Sequence, residues 1–226
     1  MLRIAIDGAC RRNGKPDCVA AGGVFIQQYR DKKLVYTTIL NAAEYTSTNQ
    51  RGELLALLRA LEYINVNGEE AQIITDSEYI FNAMSKEWYD RWLLNGWVTS
   101  MGDSVKNSDI WRKVTDEIHA CKEAGIEVTF YHIKGHVIPF GKVTAERLLH
   151  EDVTGLTLYN EVAKKYDICV STKADKVVDA QGLSLKNNGF VLHKEVMKDF
   201  VVSNVVADSV ATVAVEEADR IKRISP

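Results

Sequence analysis

The sequence predicts an α/β fold around a central sheet, and three observations support this prediction. Residues 2–40 hold three runs with strand character, separated by polar breaks, which is typical of an antiparallel meander. Residues 47–64 then carry apolar side chains at helical spacing. Apolar runs at 73–76 and 126–133 alternate with further helical segments, as expected when helices connect strands.

Length and charge limit the possible functions. The chain has 226 residues and a formal net charge of −3, which fits one large domain or an ordinary domain with an addition. The acidic balance argues against nucleic-acid affinity through bulk positive charge, so any phosphate recognition must be local. No signal-peptide core precedes the first strand, and no apolar run is long enough to span a bilayer. We therefore expect a soluble, cytoplasmic protein.

The four cysteines show neither the CxxC spacing of a zinc site nor the density of a disulfide scaffold. We expect free thiols in a reducing compartment and no structural zinc. The four are Cys10, Cys18, Cys121 and Cys169.

The first predicted strand runs from Leu2 to Ile6 and breaks at Gly8. Strand alternation places the side chain of Asp7 on the same face as the small Ala5. Two more strands of the meander are predicted at residues 20–27 and 34–40.

The first helix is predicted to begin with a capping box formed by Ser47 and Gln50. Glu53 heads its apolar stripe, which continues through Leu57, Ala60 or Leu61, and Ile64. An unpaired carboxylate against a sheet is costly, so it normally finds a partner or takes up a proton. The alternative is that Glu53 only favours the positive end of the helix dipole.

Asp76 ends the apolar run at residues 73–76. Ligands collect at the carboxyl ends of strands in open α/β sheets, so an acid at this position is well placed to hold a metal. The alternative is an Asp that caps a following helix, predicted at residues 77–84. A cation shared with Asp7 and Glu53 would account for all three acids together.

A tryptophan-rich stretch follows the second predicted helix. Trp88 and Trp92 lie one helical turn apart, which favours aromatic packing on a short helix. Trp97 lies beyond Gly96, and two possibilities stay open for it: exposure to a nucleic-acid backbone or packing in the interior.

The next predicted elements are a helix over residues 105–124 and a strand over residues 126–133. The strand leads into the loop Lys134-Gly135-His136, where His136 is a candidate catalytic histidine, although a lone loop histidine is more often inert. Residues 137–203 are then predicted to be helical, with segments at 143–152, 157–166 and 173–180 and a turn at 187–189. A long helical pattern runs from about residue 194 towards 221.

Several of these segments, taken in their order along the chain, resemble the motifs of type 1 ribonuclease H. They are Ile6-Asp7-Gly8-Ala9-Cys10, Gly22-Gly23-Val24, Thr48-Asn49-Gln50-Arg51-Gly52-Glu53-Leu54, Ile74-Thr75-Asp76-Ser77, Trp92-Leu93-Leu94-Asn95-Gly96-Trp97, Val105-Lys106-Asn107-Ser108-Asp109-Ile110-Trp111 and Lys134-Gly135-His136. The resemblance implies a mixed five-stranded sheet in the order 3-2-1-4-5, flanked by helices. It also implies domain limits: a catalytic domain of residues 1–136 plus 204–226, with 137–203 as a helical insertion before the last catalytic helix.

The same resemblance implies an endonuclease that hydrolyses the RNA strand of RNA/DNA hybrids and leaves 5'-phosphate and 3'-hydroxyl ends. Asp7, Glu53 and Asp76 would bind two Mg²⁺ ions, with Mn²⁺ able to substitute. His136 would assist proton transfer or product release. Positions matching substrate contacts are Gly8, Cys10, Asn49, Gln50, Ser77 and Trp97. We expect a monomer whose partner is the hybrid.

Two other functional classes stay open from the sequence alone. One is a nucleic-acid binding module that has lost catalysis on the same fold. The other is a related metal-dependent nuclease such as a resolvase or transposase core, although the tryptophan segment and the Gly-His pair favour ribonuclease H.

The chain departs from its relatives at two points besides the insertion. Glu78 stands where relatives carry an uncharged residue near the substrate. The segment 86–113 holds five basic and four acidic residues, so it predicts a weaker and more salt-sensitive grip on the hybrid.

The fourth carboxylate of the family has three candidates, each preceded by an alanine. The family places an Asn four residues before the acid and an Ala three residues after it, and only Asp208 has both, as Asn204 and Ala211. Helical spacing puts these three residues on one face. We therefore predict Asp208 as the fourth metal ligand, ahead of Asp175 and Asp219.

Overall fold

The computed structural model describes residues 1–45, 47–136, 154–167 and 194–224. Its strands are β1 (Leu2–Arg11), β2 (Val19–Arg30), β3 (Lys33–Tyr45), β4 (Ala71–Thr75) and β5 (Val128–His132). Its helices are α1 (Asn49–Asn67), α2 (Glu78–Ser85), α3 (Trp88–Leu94), α4 (Ser108–Glu123), α5 (residues 155–167) and α6 (Lys194–Ile224).

The sheet has the order β3-β2-β1-β4-β5. The first three strands form the antiparallel meander, whereas β4 runs parallel to β1 and β5 runs parallel to β4. The predicted mixed sheet and its strand order are therefore confirmed.

The strands of the meander are longer than predicted. β1 does not break at Gly8 but continues to Arg11, because Gly8 pairs with Gly22 of β2 and the ladder runs on to the Arg11–Val19 pair. Pairing with β2 likewise extends β3 to Tyr45, which lies opposite Val19. Small and polar residues therefore belong to these strands, since backbone pairing rather than hydrophobic alternation holds them there.

The start of α1 also differs from the prediction by one residue. Thr48, not Ser47, is the N-cap, and its hydroxyl accepts a hydrogen bond from the Arg51 N–H. Ser47 is buried and donates instead to Glu44 at 3.1 Å. The predicted inner stripe of α1 is confirmed, since its members are all buried: Glu53, Leu57, Ala60, Leu61 and Ile64.

Helices cover the sheet on both faces, and residue parity on β1 and β2 decides which face each side chain joins. Even-numbered residues such as Ile4 and Val24 pack with α1 and α4. Odd-numbered Ala5 and Phe25 pack on the other face, with Ile74 of β4 and with α5 and α6. The central strands are thus buried on both sides.

Two neighbouring glycines of β2 let helices touch the sheet backbone. A side chain at Gly22 would collide with the backbone of α1 at Ala56. A side chain at Gly23 would collide with the backbone of α6 at Ala207 and Ala211. Because adjacent strand residues face opposite sides, this pair brings one helix close on each face.

The predicted helix at 157–166 lies within α5, and Leu158 and Val162 bury its inner side. α6 runs without a break across the predicted limit between residues 203 and 204, and the limits of the insertion stay a prediction. The segments predicted at 143–152, 173–180 and 187–189 lie outside the described residues.

The buried carboxylate of Asp199 links α6 to β1, β2 and α5. It accepts hydrogen bonds from Arg3 of β1, from Gln27 and Tyr29 of β2 at 3.3 and 3.1 Å, and from Tyr159 of α5 at 2.5 Å. Asp199 is only 8% exposed, so these donors replace the water that it loses. α5 is therefore linked by polar contacts, as well as by packing, to the helix that follows it.

The expectation of free thiols is wrong for two cysteines. Cys10 and Cys18 form a disulfide across the β1–β2 hairpin, while Cys121 is free and buried. The spacing does not reveal this pair, because the hairpin, not a local motif, returns the chain to the same place. Cys169 lies outside the described residues. In the part of the chain that is described, no helix is long and apolar enough to cross a membrane.

We predict that Gly23→Ala lowers the free energy of unfolding by about 3 kcal/mol, because the added methyl group forces α6 away from β2. Urea unfolding measures the change. Gly14→Ala is the control: Gly14 has open space around it and a φ of +77°, so backbone strain alone should cost about 1 kcal/mol there. Equal losses in both variants would contradict the close packing.

Candidate active site

Three carboxylates meet beside the middle of the sheet. Asp7 lies in β1, Glu53 in the second turn of α1, and Asp76 directly after β4. One oxygen atom from each side chain lies within 4.8 Å of the oxygens of the other two. Asp7 is 5% exposed and Glu53 8%, so water solvates these acids poorly.

The sheet register explains how two of these acids meet. β1 and β4 pair in parallel, and Ala5 lies opposite Ile74 in their last pair. Asp7 and Asp76 come two residues farther along their strands, on the same face and at the same level. The acids thus gather at the carboxyl end of β4, as the sequence predicts.

Glu53 reaches the site because α1 passes very close to β1. A side chain at Gly8 would collide with the backbone and side chain of Glu53. The Gly8 N–H also donates to the carboxylate of Asp7 at 2.7 Å. Gly8 therefore allows α1 to pass close to β1, and its N–H orients the carboxylate of Asp7.

Burial and mutual repulsion make the cluster costly to ionise. Desolvation, followed by the charge of Asp76, raises the pKa of Glu53 to about 8 and raises that of Asp7 well above its ordinary value. Among the residues that the structure describes, no donor bonds to Glu53 Oε2. A bound cation would relieve both the repulsion and the unsatisfied oxygen.

The donor set fits a hard divalent cation. Carboxylate oxygens are the ligands that Mg²⁺ and Mn²⁺ prefer, and within the described part of the chain the cluster consists of carboxylates, without sulfur or imidazole. The convergence supports the predicted metal-binding role of the three acids without identifying the metal.

Asp208 of α6 approaches the same cluster from the second face of the sheet. Its charge raises the pKa of both Asp7 and Glu53, while desolvation raises its own pKa. Asn204 and Ala211 are buried on the same helix, as predicted for the face that carries the acid. Asp208 as a metal ligand stays a prediction.

The two other candidates for the fourth acid fare differently. Asp219 forms ion pairs with Arg11, Arg12 and Arg223, which explains its burial without a metal. Asp175 lies outside the described residues.

His136 lies on the exposed loop that follows β5 and has a positive φ of 54°. Burial raises the pKa of Asp76 and of Asp208, and the charge of His136 opposes this rise at both acids, as expected for a side chain close to them. The loop passes directly over Asp76, because a side chain at Gly135 would overlap that carboxylate. This position agrees with a histidine that acts at the mouth of the site, and its catalytic role stays a prediction.

Most of the predicted substrate contacts surround the acids. Asn49 and Gln50 open α1, and the Asn49 side-chain nitrogen lies 3.5 Å from Glu53 Oε1. Ser77 is the N-cap of α2 next to Asp76. Cys10 lies three residues beyond Asp7, but its sulfur is bonded to Cys18 and is therefore not a free thiol.

The possibility that Trp97 is exposed to nucleic acid is wrong. The side chain is 5% exposed and packs in the main core, with the Arg112 guanidinium 4.7 Å from the ring centroid. Its neighbours Trp88 and Trp92 pack together as predicted, with ring centroids 6.1 Å apart. Trp97 therefore packs in the interior, and its role in substrate binding stays a prediction.

The sequence does not predict the contacts that two side chains make near the site. Arg51 binds Glu44 at 2.6 Å and Asp109 at 2.7 Å, which joins β3, α1 and α4 next to Asn49. His132 ends β5 and donates from Nε2 to the backbone carbonyl of Asp76 at 3.2 Å. The signal for His132 is its place at the end of the strand that neighbours β4, which only the sheet order reveals.

We predict that the metal-free protein loses stability as pH rises from about 4 to about 8. The raised pKa of Glu53 means that the folded protein holds this proton more tightly than the unfolded chain does across that range. Glu53→Gln should therefore show a flatter pH profile of stability and a higher stability at pH 8. Urea unfolding in EDTA at several pH values measures both.

Glu62→Gln serves as the control, because Glu62 is a half-buried glutamate of the same helix that pairs with Arg59 and not with the acidic cluster. Its profile should follow that of the parent. A parent profile as flat as that of Glu53→Gln would contradict the buried, repelling cluster.

Comparisons with known proteins agree with this architecture. The family model described as RNase H matches residues 2–151. Ribonuclease H of Syntrophomonas wolfei is 37% identical over 109 residues, which is 48% of this chain and 69% of that protein. Ribonuclease H of Pseudomonas fluorescens Pf-5 is 28% identical over 160 residues, which is 71% of this chain and 97% of that protein.

A solved structure has the same fold. The crystal structure of LC9-RNase H1, described as a type 1 RNase H with the type 2 active-site motif, aligns with a TM-score of 0.52 and 23% identity. The alignment covers 65% of this chain and 69% of that one. With the family match over the sheet and its acids, it follows that the chain belongs to the ribonuclease H family and has the type 1 fold.

Proposed function

We propose that the protein is an endonuclease that hydrolyses the RNA strand of RNA/DNA hybrids with divalent metal ions, leaving 5'-phosphate and 3'-hydroxyl ends. The observation that carries the proposal is the convergence of Asp7, Glu53 and Asp76 in the fold of this family. The proposal also follows the relatives, which are named ribonuclease H.

Asp7, Glu53 and Asp76, together with Asp208, are the residues that would hold the metal. Two Mg²⁺ ions, when bound there, supply an activated water and stabilise the leaving 3'-oxygen. A cation that offsets their repulsion favours the ionised form of these acids, which couples metal binding to their deprotonation. Burial also limits the water that competes for these oxygens.

Residues at the mouth of the site would handle substrate and proton. Asn49 and Gln50, at the start of α1, offer amide groups that can read the 2'-hydroxyls by which RNA differs from DNA. His136, exposed on the loop beside Asp76 and Asp208, would assist proton transfer or product release.

A nucleic-acid binding module without catalysis is not favoured. Such a module would gain nothing from several buried acids that repel one another and repel phosphate. The monomeric state and the cytoplasmic location stay predictions.

We predict that the parent cuts RNA in a hybrid with Mg²⁺ or Mn²⁺, while EDTA abolishes cutting. Asp76→Asn should fold and lose about a hundredfold or more in turnover, because the change removes a charged ligand while nearly keeping its shape. A labelled hybrid, with single-stranded RNA and duplex DNA as substrate controls, measures the activity.

Asp116→Asn is the matched variant, since Asp116 is exposed on α4. It should cleave at the parent rate. Full activity of Asp76→Asn, or of the parent in EDTA, would contradict the metal-dependent mechanism.

For the fourth acid, we predict that Asp208→Asn loses most activity at saturating hybrid with Mg²⁺. Asp219→Asn should instead lower stability, because it removes the buried carboxylate that Arg11 and Arg12 share. Asp175→Asn should stay active. A dead Asp175→Asn beside a fully active Asp208→Asn would move the catalytic domain into residues 137–203.

A further inference from the structure

The peptide group that joins Asp76 to Ser77 lies between two regular elements. β4 ends at Thr75 and α2 begins at Glu78. The carbonyl oxygen of this peptide accepts a hydrogen bond from His132 Nε2 at 3.2 Å. Its N–H, which belongs to Ser77, donates to Thr75 Oγ1 at 3.1 Å. Two side chains therefore hold the two polar atoms of one peptide plane.

His132 is itself held firmly. It ends β5 opposite Thr75 of β4, and its half-buried ring lies 5.5 Å from the ring of Phe81, centroid to centroid. The backbone N–H of Ile133 donates to the Thr75 carbonyl at 3.0 Å, which fixes the neighbouring peptide. The imidazole thus extends from a braced strand end and not from a loose loop.

The direction of the hydrogen bond follows from the chemistry of its partners. A backbone carbonyl has no proton to give, so Nε2 of His132 carries the proton and donates. At this atom the ring is a donor to the backbone and not a base.

The held peptide matters because the Asp76 carboxylate is repelled by neighbouring carboxylates. It lies within 4.8 Å of those of Asp7 and Glu53 and near that of Asp208, and burial and mutual repulsion raise the pKa values of these three neighbours. Asp76 is less buried than Asp7 or Glu53 and has solvent on one side. β4 fixes the backbone before Asp76, and His132 with Thr75 fixes the backbone after it. With both sides held, the Cα–Cβ bond keeps pointing at the cluster.

We propose that His132 is a positioning residue for metal binding: its Nε2–H holds the carbonyl of Asp76 so that the Asp76 carboxylate faces Asp7 and Glu53. The inference rests on the proposed function in one respect, that Asp76 is a metal ligand. Hydrogen-bonding partners behind a ligand typically change metal affinity or activity by about 10- to 100-fold when they are removed.

Three variants separate this role from simple packing. His132→Phe keeps a ring against Phe81 but has no donor. His132→Gln keeps an N–H at a similar reach. His119→Phe is the control for replacing a half-buried histidine by phenylalanine, since His119 of α4 pairs with Asp90 of α3, which lies outside the acidic cluster.

Binding of Mn²⁺ is measured by calorimetry, alongside urea unfolding in EDTA and the kcat and KM of hybrid cleavage. His132→Phe should bind Mn²⁺ about tenfold more weakly than the parent. Its kcat at fixed Mg²⁺ should fall while the KM for hybrid stays the same. His132→Gln should recover most of the Mn²⁺ affinity, and His119→Phe should match the parent.

Parent-like Mn²⁺ affinity in His132→Phe would overturn the inference. So would equal weakening in His132→Phe and His132→Gln, because loss of the donor could not then be the cause. A parent that binds no Mn²⁺ would overturn it as well. A parent that binds Mn²⁺ but leaves hybrids uncut would sink the proposed function alone, since the affinities of the variants would still decide the role of His132.

Discussion

The close approach of helices to both faces of the central strands is the constraint on which the site depends. Gly22 and Gly23 leave room on opposite faces of β2, where α1 and α6 pack directly against its backbone. Gly8 does the same for Glu53. Without these approaches, Glu53 and Asp208 would lie farther from Asp7. The acidic cluster thus depends on glycines, which have no side chain, as much as on its carboxylates.

The site and its surroundings treat buried charge in opposite ways. Asp199 is surrounded by donors from three elements, so its burial adds to the cohesion of α6 with the sheet. Asp7 and Glu53 are buried among like charges, and one oxygen of Glu53 has no donor among the residues that the structure describes. Such local conflict between burial and charge is expected where a protein binds a ligand of opposite charge.

The sequence could predict those features that depend on local pattern. The apolar stripe headed by Glu53, the acid after β4 and the sheet order follow from periodicity or from motifs in a fixed order. Features set by distant partners could not be read in this way. Trp97 is buried because α4 and Arg112 cover it, and the role of His132 depends on β5 lying beside β4. The Cys10–Cys18 pair likewise depends on the hairpin that joins them.

The packing of α6 against β1 and β2 has a consequence for biosynthesis. β1 is made first, whereas α6 follows β5 by about sixty residues, which at ordinary translation rates means on the order of several seconds. During that interval α6 does not yet pack on the face of the sheet that carries Ala5, Phe25 and Ile74. Until α6 is made, the nascent chain therefore leaves part of this apolar surface uncovered, and it holds Asp7, Glu53 and Asp76 without Asp208. The same late helix that completes the core also carries Asp208 towards the three acids, so the two events coincide.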